Sequence, residues 1–199
     1  MKSYCAVALA GMLALATAGA DAQQKPQRIR GTITAFDGNV LSVKSRDGKD
    51  LRIELTEKAS VATARAITLA DLKPGDYVGS TTLKRADGTL VAREVHMIPR
   101  SVKEGHGPWD LEPGSMMTNA NVASVVKAAE GQELTLEYSG GSQKILVPPG
   151  TPIVTTTPAD RSFLKPGETV YFSAQVSADG KLTTSARIQV SKDGVRPPQ

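Results

Sequence analysis

The sequence holds a single cysteine, Cys5. It sits in an N-terminal segment that reads as removable, so the rest of the chain offers no thiol. That excludes disulfide staples, thiol nucleophiles and thiolate metal ligands. Histidine is almost as scarce, with only His96 and His106. Aromatic residues make up 4% of the chain, and Trp109 is the one tryptophan. A core must therefore be built from Val, Ile, Leu and Ala. Charge is present but dispersed. The net charge is +4, and no run of five like charges occurs, so the chain carries neither a basic arm nor an acidic tail. The local signatures of catalysis are missing too. There is no Gly-x-Ser-x-Gly, no His-Glu-x-x-His, no phosphate loop and no Asp-x-Asp-x-Asp-Gly calcium loop. Ser124-Val125-Val126-Lys127 matches Ser-x-x-Lys, but it falls in a strand pattern and its partner motifs are absent. No nucleophile, base and orienting group can be named, so the chain is expected not to be an enzyme.

One long apolar run is present, Cys5 to Ala20, preceded by Lys2. Its roughly 16 residues fall short of the ~20 a bilayer span needs. Ala20-Asp21-Ala22 then supplies a small-x-small cleavage pattern before Gln23. Residues 1–22 are expected to be a secretory signal peptide, leaving a periplasmic or secreted chain with no transmembrane segment. Export and the modest charge together argue against a nucleic-acid partner.

What the chain does have is a repeat. Leu72-Lys73-Pro74-Gly75-Asp76 recurs as Leu164-Lys165-Pro166-Gly167-Glu168, and Ala86-Asp87-Gly88-Thr89-Leu90 as Ala178-Asp179-Gly180-Lys181-Leu182, both at an offset of 92. Gly38-Asn39-Val40-Leu41-Ser42-Val43 answers Gly131-Gln132-Glu133-Leu134-Thr135-Leu136 at 93. Self-similarity at a fixed offset marks a duplicated structural unit.

Each unit reads as strands. Arg28 to Phe36, Val40 to Lys44, Leu51 to Leu55, Tyr77 to Lys84 and Leu90 to Ile98 form one set. Val122 to Ala128, Leu134 to Tyr138, Lys144 to Val147, Thr169 to Val176 and Lys181 to Val190 form the other. Asp47-Gly48 and Gly140-Gly141 are hairpin signals. Each Lys-Pro-Gly is a type II turn, with a positive φ expected at Gly75 and Gly167. The last strand of the first unit is one residue shorter than its counterpart, which predicts a β-bulge in one of the two copies. Thr68 to Leu72 reads as one helical turn.

These features predict an all-β protein of two tandem, small, five-stranded OB-like barrels, over residues 28–98 and 120–190. The alternative is one larger barrel or sandwich formed jointly by both repeats. A Pro/Gly-rich connector spans 99–119 and a C-terminal tail spans 191–199. Gly31-Thr32-Ile33, answered by Ala120-Asn121-Val122 in the second copy, the Gly-x-x-Leu-x-Val of residues 38–43, and the Leu-Lys-Pro-Gly-Asp/Glu and Asp-Gly-x-Leu of both copies resemble a family of exported bacterial domains of unknown function built on small OB-like barrels. The resemblance implies a small exported barrel and no particular activity.

Chemistry concentrates in and beside the connector, which is longer than the ~12–15 residues of ordinary loops. It carries Glu104, His106, Trp109, Asp110 and Glu112, with His96 and Met97 just before it and Met116 and Met117 towards its end. Imidazole, thioether and carboxylate suit copper or zinc, so His96, His106 and Asp110 are the candidate metal ligands. The competing expectation is a ligand cleft lined by Trp109, Glu104 and Glu112, walled by a connector ordered through Trp109, Leu111 and Met117. The sequence favours a non-catalytic exported binding or structural protein without a cofactor. Its partner is an envelope protein, a glycan or a small ligand. A periplasmic copper- or zinc-binding protein using the His96–Met117 segment is the alternative.

Overall fold

The computed structural model describes residues 26–199. The expected signal peptide, residues 1–22, lies outside the described residues.

The first repeat forms β1 (Gln27–Asp37), β2 (Val40–Ser45), β3 (Asp50–Leu55), β4 (Ser60–Ala66), β5 (Tyr77–Lys84) and β6 (Leu90–Met97). The connector holds β7 (Gly105–Pro108). The second repeat forms β8 (Met116–Ala128), β9 (Gly131–Tyr138), β10 (Gly141–Val147), β11 (Ile153–Ala159), β12 (Thr169–Val176), β13 (Leu182–Thr184) and β14 (Arg187–Val190). One-turn 3-10 helices at Leu69–Asp71 and Arg161–Phe163 precede the two Lys-Pro-Gly turns. Gly75 and Gly167 have φ of 90° and 92°, as the type II turn demands.

Pairing closes five strands into a barrel. β1 pairs β2, β2 pairs β3, β3 pairs β13, β13 pairs β12, and β12 returns to β1. A second closed circuit runs β8–β9–β10–β6–β5 and back to β8. Each ring takes three strands from one repeat and two from the other. The hydrophobic clusters follow the rings and not the repeats. One joins Ile29, Ile33, Leu41 and Ile53 to Val170, Phe172 and Ile188, and the other joins Val78 and Val95 to Leu134, Leu136 and Ile145. The expectation that each of the segments 28–98 and 120–190 closes its own barrel is therefore corrected: the all-β class stands, but the rings are built jointly.

The crossing is made by β4 and β11. After β3 the chain runs through β4 into the other ring, and after β10 it runs back through β11. The two crossing strands pair antiparallel, Thr63 with Thr157 and Ala64 with Thr156, so the equivalent positions of the two repeats face each other about a local two-fold. β14 beside β4, and the ring strand β6 beside β11, tie this seam to the rings in parallel. The exchange is stitched by the repeated turns. Gly75 N–H donates to Val122 O and Val122 N–H to Asp76 O, both at 2.8 Å; Gly167 N–H and Ile33 N–H make the matching pair with Ile33 O and Glu168 O.

Both crossing strands escape the sequence pattern. β4 is buried from Val61 through Ala64 and lacks alternation because both of its faces are covered. β11 carries Pro158, a residue confined to strand edges. It is tolerated because β11 meets β6 only at Ile153 and Val154, leaving Pro158 with one neighbour. The stretch expected as one strand from Lys181 to Val190 breaks into β13 and β14. There Thr184 Oγ1 accepts from Ala186 N–H and donates to Ser173 O, replacing ladder bonds. The bulge expected in one copy lies in the first, on β6, where Arg93 is left unpaired between Glu94, opposite Thr81, and Ala92, opposite Thr82. A further bulge recurs in both copies, at Ile33/Ala35 and at Val122/Ser124.

Candidate functional site

The connector does not run free. β7 pairs β8, Tyr77 Oη donates to Val102 O at 2.9 Å, and Glu104 accepts from Ser139 N–H at 3.3 Å. Residues 109–115 form a tight loop around buried Ser115, whose Oγ donates to Trp109 O at 2.9 Å while Trp109 N–H donates to Ser115 O at 2.8 Å. That loop holds the indole against β1.

Arg28 and Arg30 lie two apart on β1 and so share one face. The Arg28 guanidinium stacks 4.1 Å from the Trp109 ring centroid, and Arg30 lies 5.8 Å from Trp109 and 5.0 Å from Tyr171. A cation over an aromatic face is favourable, more so when desolvated. Asp110 closes the cluster, accepting from Arg28 at 3.1 Å and from buried Arg30 at 2.9 Å, while Arg46 reaches its carbonyl at 3.5 Å. Burial pushes the Asp110 carboxyl upward, but the Arg30 hydrogen bond and the two guanidinium charges outweigh it and hold the group below the ordinary carboxylate value. Burial raises the Tyr171 phenol, opposed by the same arginines.

Between the rings lies a cleft of about 350 Å³ lined by Trp109, Tyr171, His96, Met97, Met117 and Arg187, with Gln189, Asn119 and Thr156 adding polar edges. His96 is buried on β6 beside β5, where Gly79 makes room for its ring: a Cβ at Gly79 would stand 2.6 Å from His96 Nε2. Its Nδ1 lies 3.4 Å from Oε1 of Glu94, which is also buried. Glu94 Oε1 accepts from Gln199 N–H at 2.9 Å and from Thr81 Oγ1 at 3.5 Å. Behind Glu94 a second cavity of about 540 Å³ is walled by Ile153, Val154, Val195 and Pro197.

The expected site residues are thus divided. His96 and Trp109 line the cleft. Glu104 and Glu112 do not; Glu112 pairs with Arg93 at 2.7 Å on the outer surface, because the 109–115 loop turns it away. His106 sits on β7 with Nδ1 2.8 Å from Thr118 Oγ1, and burial lowers its pKa. Asp110 is taken by the arginines. His96, His106 and Asp110 do not form a ligand set: among the described residues no group of three or more His, Cys, Asp or Glu is placed to hold a metal ion. Glu94, Tyr171, Arg187 and Gln199 went unseen in the sequence. Only Arg28-x-Arg30 carried a local signal, the period of two that puts both on one face. Comparison with protein families, with curated proteins and with solved structures finds no match for this chain.

Proposed function

We propose that the chain is a non-catalytic exported binding protein, periplasmic or secreted, whose ligand enters the cleft between the two rings. The observation that carries this reading is the cleft itself. It is concave, its walls are largely apolar, and a few polar groups converge on it, which is the general form of a ligand site. Its two aromatic walls are held in place by exposed Arg28, stacked on Trp109, and by buried Arg30 beside Tyr171, so they are ordered before a ligand arrives.

The non-catalytic part is supported by the engagement of Glu94, Asp110 and His106 in hydrogen bonds, although buried His96 Nδ1 has no hydrogen-bond partner among the described residues. Glu94 serves Gln199 and Thr81, Asp110 serves Arg28 and Arg30, and His106 serves Thr118. The copper or zinc alternative has no ligand group among the described residues to rest on. The fold premise is a duplicated OB-like unit whose copies have exchanged their last two strands. The ring order first–second–third–fifth–fourth, with the third and fifth parallel in both rings, supports it, as does the resemblance to exported OB-like domains. Export rests on residues 1–22.

Two measurements test the proposal. Intact mass of protein recovered from the periplasm is expected to begin at Gln23; a mass retaining residues 1–22 argues against export. Trp109 is the one tryptophan, so its emission reports the cleft directly. Titration with peptides, oligosaccharides and small amphiphiles is expected to give a saturable shift with one class. A folded protein that shows none with any class removes the cleft as a binding site.

A further inference from the structure

The inter-ring groove already contains a guest. The chain leaves β14, reverses at Asp193-Gly194, both at positive φ and bridged by Lys192 and Val195, and sends residues 196–199 back between the rings. Pro197 and Pro198 are buried there. Pro198 and Gln199 form part of the wall of the 350 Å³ cleft, and Pro197 and Gln199 part of the wall of the 540 Å³ cavity. The segment is therefore a partition across one longer groove, with Glu94 on one side and His96 and Trp109 on the other.

How it is held matters more than that it is held. Gln199 N–H donates to Glu94 Oε1 at 2.9 Å, and Trp109 Nε1–H donates to Gln199 O at 3.1 Å. One residue is thus read through both its main-chain groups, while its side chain turns back to Pro197 O at 3.1 Å. Glu94 is a buried carboxylate whose shortest hydrogen bond comes from this segment. Without Gln199 the only hydrogen-bond donor left to Glu94 among the described residues is Thr81 Oγ1, at the long distance of 3.5 Å, and under-satisfying a buried carboxylate is costly, so the groove favours an occupant with an N–H in this place. Trp109 asks for an acceptor beside it, and the apolar wall between them takes proline rings, which lose little entropy on docking.

We propose that the groove is a peptide-binding site for an extended segment with two prolines followed by a residue that offers free main-chain N–H and C=O groups. Residues 197–199 occupy it in cis. This rests on the cleft reading above and names its ligand class. Recognition falls on backbone and proline rings, so the residue after the prolines is read by its main chain and its side chain is free to vary.

The test uses the chain lacking residues 194–199, the full chain, and the synthetic peptide Gly-Val-Arg-Pro-Pro-Gln. The shortened chain is expected to bind the peptide saturably by Trp109 emission, and the full chain at least about tenfold more weakly because its own segment competes at high effective concentration. Replacing both prolines of the peptide by glycine, or Trp109→Phe followed by calorimetry, is expected to weaken binding by at least about tenfold. A shortened chain with unchanged far-UV circular dichroism and no saturable response up to about millimolar peptide, the weak end of specific binding, overturns the proposal. An N-acetylated chitin trimer is the competing probe, since its acetamides carry the same N–H and C=O pair. Binding of the trimer without the peptide overturns the peptide assignment and leaves the cleft reading standing; binding of neither, nor of any other class, removes both. Should the shortened chain fail to fold, the full chain carrying Pro197→Gly and Pro198→Gly takes its place, and a lack of peptide binding there counts against the proposal equally. Concentration-dependent dimers of the full chain that vanish on shortening are the same recognition made by a second copy and support it.

Discussion

Arg30 is the residue on which the connector turns. It is buried on β1, stacked near Tyr171 and Trp109, and its charge is met by Asp110 at 2.9 Å. Removing one partner of a buried pair is costly, but Asp110 itself is half exposed, so the expected loss for Asp110→Asn is ~1 kcal/mol. The pH dependence has a definite sign. The folded-state pKa of Asp110 lies below its unfolded value of about 3.9, so its contribution is present above that value and is lost as pH falls through the folded pKa. The acid limb of Trp109 emission in the parent is expected to reflect release of the 109–115 loop, and Asp110→Asn to lack that step. Identical acid profiles for the two proteins would show that the arginine cluster does not anchor the connector. None of this was legible locally beyond Arg28-x-Arg30. Asp110 lies 80 and 82 residues away from its partners, and a carboxylate in a loop is read first as a metal ligand or a solvated charge.

At the scale of elements, the Lys-Pro-Gly turns do more than reverse the chain. Each docks on the bulged strand of the other repeat, Gly75 on Val122 and Gly167 on Ile33. Both glycines hold φ near 90°, which L side chains avoid. Gly75→Val and Gly167→Val are each expected to destabilise by about 1–3 kcal/mol in urea denaturation, with similar values because the turns play the same part. An effect at one turn only would break the equivalence of the rings. The connector is likewise an element and not a tether, since β7 and the opening of β8 lie inside 99–119. Limited proteolysis within 99–119 is expected to be slow. Where it occurs, the two fragments should elute together in gel filtration, because each ring keeps strands from both sides of the cut. Release of two separate, folded halves would contradict the exchange of strands.

For the whole molecule, interlacing means that neither repeat owns a core. Phe172 of the second repeat packs among Ile29, Ile33 and Leu41 of the first, and Val78 and Val95 of the first pack with Leu134 and Leu136 of the second. Opening one ring pulls strands out of the other. Unfolding is therefore expected as a single transition in which Trp109 emission and far-UV circular dichroism coincide. Two resolved transitions would indicate rings that fold independently. The same linkage carries to the groove, whose walls come from β6 and the connector on one side and β12 and β14 on the other.

The sequence by itself determined what depends on near neighbours. Turn chemistry at Pro74-Gly75 and Pro166-Gly167, alternation along β3 and β9, and the fixed offset between repeats are properties of a few consecutive residues or of simple self-comparison. They sufficed for the all-β class, for most strands and for a bulge. Which three strands close with which two was decided only in the folded chain. Two similar repeats present similar strand edges, so local pattern is satisfied equally whether a repeat closes on itself or on its twin. β4 and β11 break the tie: each runs on as an extended strand and pairs with the other instead of folding back, carrying the chain across. The groove follows from that crossing. Gln199 meets Glu94 across 105 residues and Trp109 across 90, contacts between a tail, a strand and a connector loop that are neighbours only because the rings are joined.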